Sequence, residues 1–553
     1  MLNAAMSRSR LRYAVSVSIL KLPPFLYTRS HSHSQSLRPS IHDADDNTVS
    51  LFNRMLYMHP TPPIFEFGKI LTSLVKMKRY TTAVSLFHKM ETRGINPDFI
   101  AMNILINCFC NMGHIHFAFS VLGKLFKRGY QPNTITLNAL MKGLCLSGQV
   151  NKALQFHDHV VAHGFLLNQV SYGTLINGLC KMGETGAALQ LLRKIQGLMV
   201  KPTVVMYNSI IDCLCKDKLV TDAYDLYSEM VVKGILPDVL TYNSLLYGFC
   251  ILGQLKEAVD LLNEMFQKSI NPNNYTFNIL IDALGKEGKM KEAKNVLAMM
   301  IKEGVEPNVV TYSSLMDGYC LVNEMNKAKY VFNTMTQIGL SHDVRSYSIM
   351  INGLCKTKKV DEAVDLFEEM YSKNIIPNTV TYNCLIDGLC KSGRMSDVWK
   401  LIDRMHDKGI QADIVTYNCI VDALCKSNHL DKALALCRKI QGQGIQPNEF
   451  TYTILIDGLC KGGRVKDAQD IFQELLIKGY NLNVQTYTVM INGLCKEGLL
   501  DEALALRFKM EDNGCVPNAV TFEIIIRALF EKGENDRAKK LLHEMVARGL
   551  LLK

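Results

Sequence analysis

A sequence motif recurs every 35 residues along almost the whole of this chain. The segment VTYNCLIDGLCKSGRM, which starts at Val380, has close relatives in VTYSSLMDGYCLVNEM and FTYTILIDGLCKGGRV, which end at Met325 and Val465. A fixed period of this length is typical of chains that stack one supersecondary unit on the next, and it argues against several unrelated globular domains. Aligned on the TYN element, fourteen copies fill residues 64–553 without an insertion: 64–98, 99–133, 134–168, 169–203, 204–238, 239–273, 274–308, 309–343, 344–378, 379–413, 414–448, 449–483, 484–518 and 519–553.

Each copy, numbered here from position 1 to position 35, has the pattern of two helices. In the tenth copy Tyr382, Leu385, Ile386 and Leu389 form one apolar stripe at helical spacing, and SGR ends this first helix. The second helix starts near Met395, and a Gly-x-x-Pro ending, common among the copies, closes it. One such hairpin cannot bury its stripe alone, so the sequence predicts an all-α fold, a right-handed α-solenoid superhelix of stacked helix-turn-helix repeats.

The N-terminal residues, 1–63, differ from the repeats that follow them. Residues 1–42 contain six Arg or Lys and no acid, together with the Ser- and His-rich run RSHSHSQS, which is typical of an organelle transit peptide. This segment carries six of the ten formal positive charges, so net charge alone does not indicate a nucleic-acid partner. Residues 43–63 contain VSLFNRML, a second helix in register, which predicts an N-terminal half-repeat that caps the array.

The cysteines follow the repeat as well. Eleven of the 17 lie on steps of 35 residues or multiples of 35, from Cys110 to Cys495. This spacing indicates a recurring packing position, so we expect free thiols in a reducing compartment.

A second stripe of the first helix, about 140° from the apolar one, is equally regular. Position 5, called here the selector, is Asn, Ser or Thr in most copies, and Lys recurs at position 13. These residues could simply be solvated helix surface, but Asn, Ser and Thr are weak helix formers, and Glu or Lys would suit such a surface better.

A row of amides and hydroxyls beside a row of ammonium groups suits single-stranded RNA. Selector side chains can bond base edges, the lysines can contact phosphates, and the apolar residue at position 2 can stack between bases. The predicted stacking residues are Ile100, Ile135, Val170, Val205, Leu240, Tyr275, Val310, Val380, Val415 and Phe450. The predicted phosphate contacts are Lys181, Lys216, Lys286, Lys356, Lys391, Lys426, Lys461 and Lys496.

The 35-residue period, the wording VTYN-LIDGLCK, Ala at position 20 and the Gly-x-x-Pro ending resemble the pentatricopeptide repeat (PPR) proteins of the P class. The NGLCK and DGLCK wording and the Ser/His-rich leader look most like the restorer-of-fertility-like subgroup of land plants. The resemblance implies that each repeat binds one RNA base, chosen by the selector and by the last residue of the same repeat, position 35, called here the terminal residue.

Carried over to this chain, the resemblance implies U for Asn/Asp pairs, C or U for Asn/Asn, G for Ser/Asp, and A for Ser/Asn or Thr/Asn. The pairs are Asn103/Asn133, Asn138/Asn168, Asn208/Asp238, Asn243/Asn273, Asn278/Asn308, Ser313/Asp343, Ser348/Asn378, Asn383/Asp413, Asn418/Asn448, Thr453/Asn483 and Thr488/Asn518. From the 5′ end, repeats two to thirteen predict pyrimidine, pyrimidine, unassigned, U, pyrimidine, pyrimidine, G, A, U, pyrimidine, A, A. Gly173 with Thr203 leaves the fourth repeat unassigned.

No pattern of catalytic or metal-binding residues emerges from the sequence. His157, His159 and His163 share a second helix without a focusing spacing, and the two CxC pairs point their side chains apart on first helices. No zinc-deaminase signature follows the repeats. We therefore expect no enzyme, no metal, no cofactor, no small-molecule substrate and no membrane insertion.

The expected function is sequence-specific binding of an organellar transcript, mitochondrial rather than chloroplast, that influences its processing, stability or translation. Any cleavage would need a recruited nuclease or other processing protein. The subgroup resemblance adds restorer-of-fertility-like silencing of a mitochondrial transcript. The alternative is a protein-binding scaffold of tetratricopeptide type, although such repeats have 34 residues and a different signature.

Overall fold

A computed structural model describes residues 41–197, 200–480 and 482–550, and in these ranges the regular secondary structure is helical throughout. The helices are α1 Ile41–Met55, α2 Ile64–Lys76, α3 Tyr80–Thr92, α4 Phe99–Asn111, α5 Ile115–Lys127, α6 Thr134–Leu146, α7 Val150–Ala162, α8 Gln169–Lys181, α9 Thr185–Gln196, α10 Val204–Lys216, α11 Val220–Val232, α12 Val239–Ile251, α13 Leu255–Gln267, α14 Asn274–Lys286, α15 Met290–Lys302, α16 Val309–Leu321, α17 Met325–Gln337, α18 Val344–Lys356, α19 Val360–Ser372, α20 Thr379–Lys391, α21 Met395–Asp407, α22 Ile414–Lys426, α23 Leu430–Gly442, α24 Glu449–Lys461, α25 Val465–Ile477, α26 Val484–Glu497, α27 Leu500–Asp512, α28 Ala519–Glu531 and α29 Asn535–Ala547.

The helices form hairpins in the predicted register. Every first helix from α2 to α28 begins at position 1 of a predicted repeat, and every second helix begins at position 17. Gly409 has a φ of 68° after α21, which is the left-handed conformation that the Gly-x-x-Pro ending predicts. The helical repeat architecture is therefore confirmed.

The chain divides into two compact units, Met1–Ser147 and Gly148–Lys553, which contain α1–α6 and α7–α29. Within each unit a first helix packs against its own second helix and against the first helix of the following repeat. The predicted apolar stripe forms the core, since Tyr382, Leu385, Ile386 and Leu389 are at most 2% exposed. The residue at position 20 is buried in every repeat, including Val398, where Val replaces Ala.

The cysteine spacing marks a close approach between neighbouring first helices. A Cβ built on Gly353, at position 10, would lie 2.5 Å from the Sγ atom of Cys320, at position 12 of the preceding repeat. The same contact joins Gly248 to Cys215. Burial raises the pKa of the Cys320 thiol to about 12, and all 17 cysteines are free. The prediction that this position serves packing is confirmed.

The predicted transit peptide, 1–42, lies outside the described residues except for its last two positions. Those two belong to α1, which starts at Ile41 and extends the predicted half-repeat helix toward the N-terminus. Phe52 of α1 is fully buried and packs edge-to-face against Phe67 of α2, with 5.1 Å between the ring centroids. The first unit thus contains an additional helix that covers the first full hairpin.

Candidate nucleic-acid interface

The terminal residue of most repeats is the N-cap of the next first helix. In twelve first helices a terminal Asp or Asn oxygen accepts the backbone N–H of position 3 at 2.8–3.1 Å. Thr203, in the unassigned repeat, makes no such cap. Because one side-chain oxygen faces the helix, a terminal Asn presents its amide nitrogen outward, whereas a terminal Asp presents its second oxygen.

A hydroxyl at position 3 links this cap to the selector of the preceding repeat. Thr416 accepts the backbone N–H of Asp413 at 3.1 Å and donates its hydroxyl proton to Asn383 Oδ1 at 2.6 Å. Threonine makes the same donation at 2.6–2.7 Å to Asn103, Asn208, Asn243 and Asn278. These five threonines are fully buried. The sequence-based reasoning missed this residue, although Asn or Asp followed three residues later by Thr resembles a capping box.

The predicted Asn/Asp pairs are in direct contact. Asn208 Nδ2 donates to Asp238 Oδ1 at 2.9 Å, and Asn383 Nδ2 donates to Asp413 Oδ1 at 3.1 Å. Burial alone raises the pKa of Asp413, but hydrogen bonds from the Thr416 backbone, the Asn383 amide and the Thr416 hydroxyl lower it below the usual value. The carboxylate of this pair is therefore ionised at neutral pH.

The Ser and Thr selectors are recessed and bonded to the following repeat. Ser313 Oγ lies 3.1 Å from Ser346 Oγ, and Ser346 donates to Asp343 at 2.7 Å. The hydroxyls of Ser348, Thr453 and Thr488 lie 2.8 Å from the position-3 hydroxyls that follow them. Since Ser313 is fully buried, a ligand beside this repeat would contact Asp343 and not the selector itself.

Burial of the selectors corrects one expectation. The sequence placed them on a stripe outside the core, but seven of them are at most 9% exposed: Asn208, Asn243, Asn278, Ser313, Ser348, Asn418 and Thr453. The reason is that neighbouring first helices pack along this edge as well. Asn103, Asn138, Asn383 and Thr488 are partly exposed.

The terminal asparagines bring a second correction. The sequence assigns them to base selection alone, whereas the structure also gives them the N-cap, which commits the side-chain oxygen to the backbone of the following helix. Asn308 is half-buried, and the exposed members are Asn133, Asn168, Asn273, Asn378, Asn448, Asn483 and Asn518. They are exposed because an N-cap precedes the first helical turn and so lies outside the contact between first helices. A base would therefore meet the terminal residue before the buried selector, and the part of these asparagines in base selection stays a prediction.

The predicted stacking residues form an exposed apolar row. Their exposure ranges from 40% at Val310 to 68% at Ile135, and Tyr275 and Phe450 are 59% and 55% exposed. The other members lie between these limits: Ile100, Val170, Val205, Leu240, Val380 and Val415. Each follows the N-terminal residue of its helix and precedes its selector by three residues. The row is exposed as the prediction requires, and stacking of bases on it stays a prediction.

Five of the eight lysines predicted to contact phosphate already form an ion pair with a carboxylate of the same helix. Lys216, Lys286, Lys391, Lys426 and Lys461 pair with the Asp four residues earlier, at position 9, at 2.5–2.7 Å. The hydrogen bond that Lys391 donates to Asp387 raises the pKa of Lys391 and outweighs the opposing effect of burial. Lys181, Lys356 and Lys496 have Asn at position 9, and within the described chain they form no ion pair. Contact between these lysines and phosphate stays a prediction.

Elsewhere in the described residues, no group of three or more His, Cys, Asp or Glu side chains is placed to hold a metal ion. Of the three histidines in and just after α7, His157 is buried against Tyr172, with 5.4 Å between the ring centroids, and the rings of His159 and His163 are tilted against each other at 4.2 Å. Over the described ranges, every helix is too short or too polar to cross a membrane.

The fold and this row of paired residues define a helical-hairpin repeat protein in which most selectors contact residues at the start of the next repeat. A family model described as the PPR repeat family matches segments that together span 64–181 and 202–531, and a model of the PPR repeat matches 170–198 and 520–550. The chain belongs to the PPR repeat family.

Solved structures with a similar fold include the pentatricopeptide repeat protein PPR10 from maize, at 20% identity over 91% of this chain and 86% of that chain, with a TM-score of 0.43. PPR10 in complex with an 18-nt psaJ RNA element is 22% identical over 93% of this chain and 84% of that chain, with a TM-score of 0.47. The PPR domain of Arabidopsis thaliana protein-only RNase P 1 in complex with tRNA is 19% identical over 32% of this chain and 94% of that chain, with a TM-score of 0.28. A comparison with curated proteins found no match.

Proposed function

We propose that this protein binds single-stranded RNA in a sequence-specific manner, with one base facing each repeat. The observation that supports the proposal is the capped terminal residue beside the selector. It presents one defined donor or acceptor per repeat, next to an exposed apolar residue on which a base can stack.

The cap explains why Asp and Asn would select different bases. The outward oxygen of a terminal Asp accepts a hydrogen bond, which suits the ring N–H of uracil or guanine. The outward amide of a terminal Asn donates, which suits the ring nitrogen acceptor of cytosine or adenine. The selector then sets the size of the base, since Asn fills space that a recessed Ser or Thr leaves free for a purine.

This geometry supports the family assignments pair by pair. Asn383 with Asp413 offers a donor beside an acceptor, complementary to O4 and N3–H of uracil. Ser313 with Asp343 leaves room for a purine and accepts from a ring N–H, which specifies guanine. In an Asn/Asn pair the terminal amide suits cytosine and the selector amide suits uracil, so both pyrimidines are accommodated.

A binding assay with an RNA of the predicted order, 5′ pyrimidine, pyrimidine, any, U, pyrimidine, pyrimidine, G, A, U, pyrimidine, A, A, tests the proposal. Changing the G that faces Ser313 and Asp343 to A should lower affinity, and Ser313→Asn with U at that nucleotide should restore it. Affinity that ignores both changes would refute the base assignments. If partners co-purified with the protein persist after ribonuclease treatment, a protein-binding scaffold is favoured instead.

We further propose that the bound RNA is an organellar transcript, mitochondrial rather than chloroplast, and that binding influences its processing, stability or translation. The acid-free, Arg- and Ser-rich segment 1–42 supports this destination. The protein itself would act by occupancy, with cleavage left to a recruited nuclease, and the P-class, restorer-like wording suggests silencing of a mitochondrial transcript. A fluorescent reporter fused to residues 1–42 should enter mitochondria, and a cytosolic reporter would contradict this part.

A further inference from the structure

In most repeats a buried hydroxyl at position 3 contacts the selector of the preceding repeat, so it can act on the selector without contacting the RNA itself. In Asn278 the Oδ1 atom accepts from Thr311 at 2.7 Å, whereas Nδ2 forms no hydrogen bond within the described chain. Thr311 is fully buried and belongs to the following repeat.

The direction of the Thr311 hydroxyl is fixed by the cap. Its oxygen accepts the backbone N–H of Asn308 at 3.1 Å, so its single proton is available for donation. The selector oxygen at 2.7 Å is closer than the cap oxygen of Asn308, at 3.2 Å. The selector amide therefore has its oxygen held toward the helix interface, and its nitrogen remains for a ligand.

One repeat with the same selector and terminal residues lacks this contact. In the Asn418/Asn448 pair, Thr451 donates to Asn448 at 2.9 Å, and Asn418 Oδ1 is buried without a partner. Thr451 still accepts the Asn448 backbone N–H at 3.1 Å, so the capping box is intact in both repeats. The chain thus offers two Asn/Asn repeats that differ in whether the selector amide is held.

We propose that the position-3 threonine is a specificity-determining positioning residue, which holds the preceding selector amide so that it offers a donor to the base. This inference rests on the proposed function. At the Asn278 repeat the held donor suits O4 of uracil and opposes the 4-amino group of cytosine. The threonine therefore keeps uracil acceptable at a repeat whose terminal Asn favours cytosine.

Removal of the hydroxyl should release this restraint. In Thr311→Val neither amide atom of Asn278 has a partner on the helix side, so the bound base decides the orientation of the amide. Cytosine can then receive an acceptor for its amino group as well as the Asn308 donor. The cytosine-to-uracil affinity ratio should rise about fivefold to tenfold, the effect of one hydrogen bond.

The experiment measures binding of the full chain to two RNAs that differ only in C or U at the nucleotide facing Asn278. Thr311→Val should raise the ratio, and Thr311→Ser, which keeps the hydroxyl, should leave it unchanged. Thr451→Val is the matched control, because it removes the same capping-box acceptor without removing a selector bond. Its ratio at the nucleotide facing Asn418 should not change, and both variants should lose a similar amount of thermal stability.

The outcomes separate the two claims. Equal changes of the ratio in Thr311→Val and Thr451→Val, or no change in either, would overturn the positioning role. Wild-type protein that shows no base preference at the Ser313/Asp343 repeat would instead refute the proposed function. Binding that follows the Ser313/Asp343 preference while ignoring Thr311→Val refutes the positioning role alone.

Discussion

The carboxylates at position 9 should make RNA binding less dependent on salt than the number of lysines suggests. Each phosphate contact to a single strand contributes about −0.7 to the slope of log affinity against log salt concentration. Eight lysine contacts would give a slope of about −5.6, whereas the three lysines without a neighbouring Asp would give about −2. In Asp387→Asn, Lys391 loses a carboxylate at 2.6 Å, so the slope should steepen by about 0.7.

The same substitution removes a negative charge near the RNA backbone. A carboxylate about 6 Å from a phosphate costs about 0.7 kcal/mol in water, so Asp387→Asn should tighten binding about threefold at low salt. The next repeat toward the N-terminus supplies the reverse experiment. Asn352→Asp places a carboxylate four residues before Lys356 and should weaken binding about threefold and flatten the slope by about 0.7.

Fluorescence anisotropy titrations of a labelled RNA at several KCl concentrations measure both quantities. Asp387→Asn and Asn352→Asp each change one charge at a partly exposed site on the helix surface, so the unfolding midpoint should barely move. The difference between the two variants is the decisive quantity, because other cations contribute equally to both slopes. A wild-type slope near −5.6, or variants that shift the slope in the same direction, would show that the Asp partners do not compete with phosphate.

Four further predictions concern stability and specificity. Gly353→Ala should destabilise the fold by about 1–3 kcal/mol in urea unfolding, because the added methyl would lie 2.5 Å from Cys320 Sγ. A second substitution, Cys320→Ala, should recover most of the loss, because the atoms next closest to the methyl lie at 3.1 Å. Lys358 has a φ of 62°, so Lys358→Gly should raise the free energy of unfolding by about 0.5–1 kcal/mol while Lys358→Ala does not. Burial, followed by the charge of Asp282, raises the pKa of Asp317, so the ionised form of Asp317 destabilises the fold above that pKa. Asp317→Asn should therefore raise the melting temperature at pH 7, and the gain should vanish in acid, where Asp317 is protonated in both the folded and the unfolded state. Asn378→Asp should keep the melting temperature and shift the base preference of its repeat from A to G, whereas Asn378→Ala should lower the free energy of unfolding by about 1 kcal/mol. An equally large loss of stability in Asn378→Asp would contradict the N-cap role of this residue.

The fold was predictable because the repeat determines helices, turns and core together. Helix α20 ends at Lys391, directly before the SGR segment that the sequence indicated as its end, and Cys320 packs against Gly353 as the recurring cysteine spacing indicated. Such features depend on periodicity within one hairpin and its neighbour, which the sequence displays directly.

The candidate site was only partly predictable. The Asp387–Lys391 pair has i, i+4 spacing, which is visible in the wording DGLCK, and the Asn378 cap precedes Thr381 by three residues. By contrast, the contact of the buried Ser313 with Ser346 and the bond from Thr416 to Asn383 each join residues on neighbouring helices that are 33 apart in sequence. Their distances depend on how closely the helices pack, which no local pattern specifies.

The selector and the terminal residue of each pair differ in what they contribute to folding, and under the proposed function this difference would allow base preference to vary. Asn and Asp cap a helix about equally well, so exchange at the terminal position alters the group offered to a base at little cost in stability. The selector varies among Asn, Ser and Thr, and most selectors bond the position-3 hydroxyl of the next repeat, as Asn383 does with Thr416 and Ser348 does with Thr381. Asn418 Oδ1, by contrast, is buried without a partner. Where position 3 is Thr or Ser, the side chain is fully buried, and in most repeats its hydroxyl bonds the preceding selector, so it is the part that these exchanges leave unchanged. Under the proposed function, a repeat built in this way would change the base it prefers while the hairpin and its contacts with both neighbours remain the same.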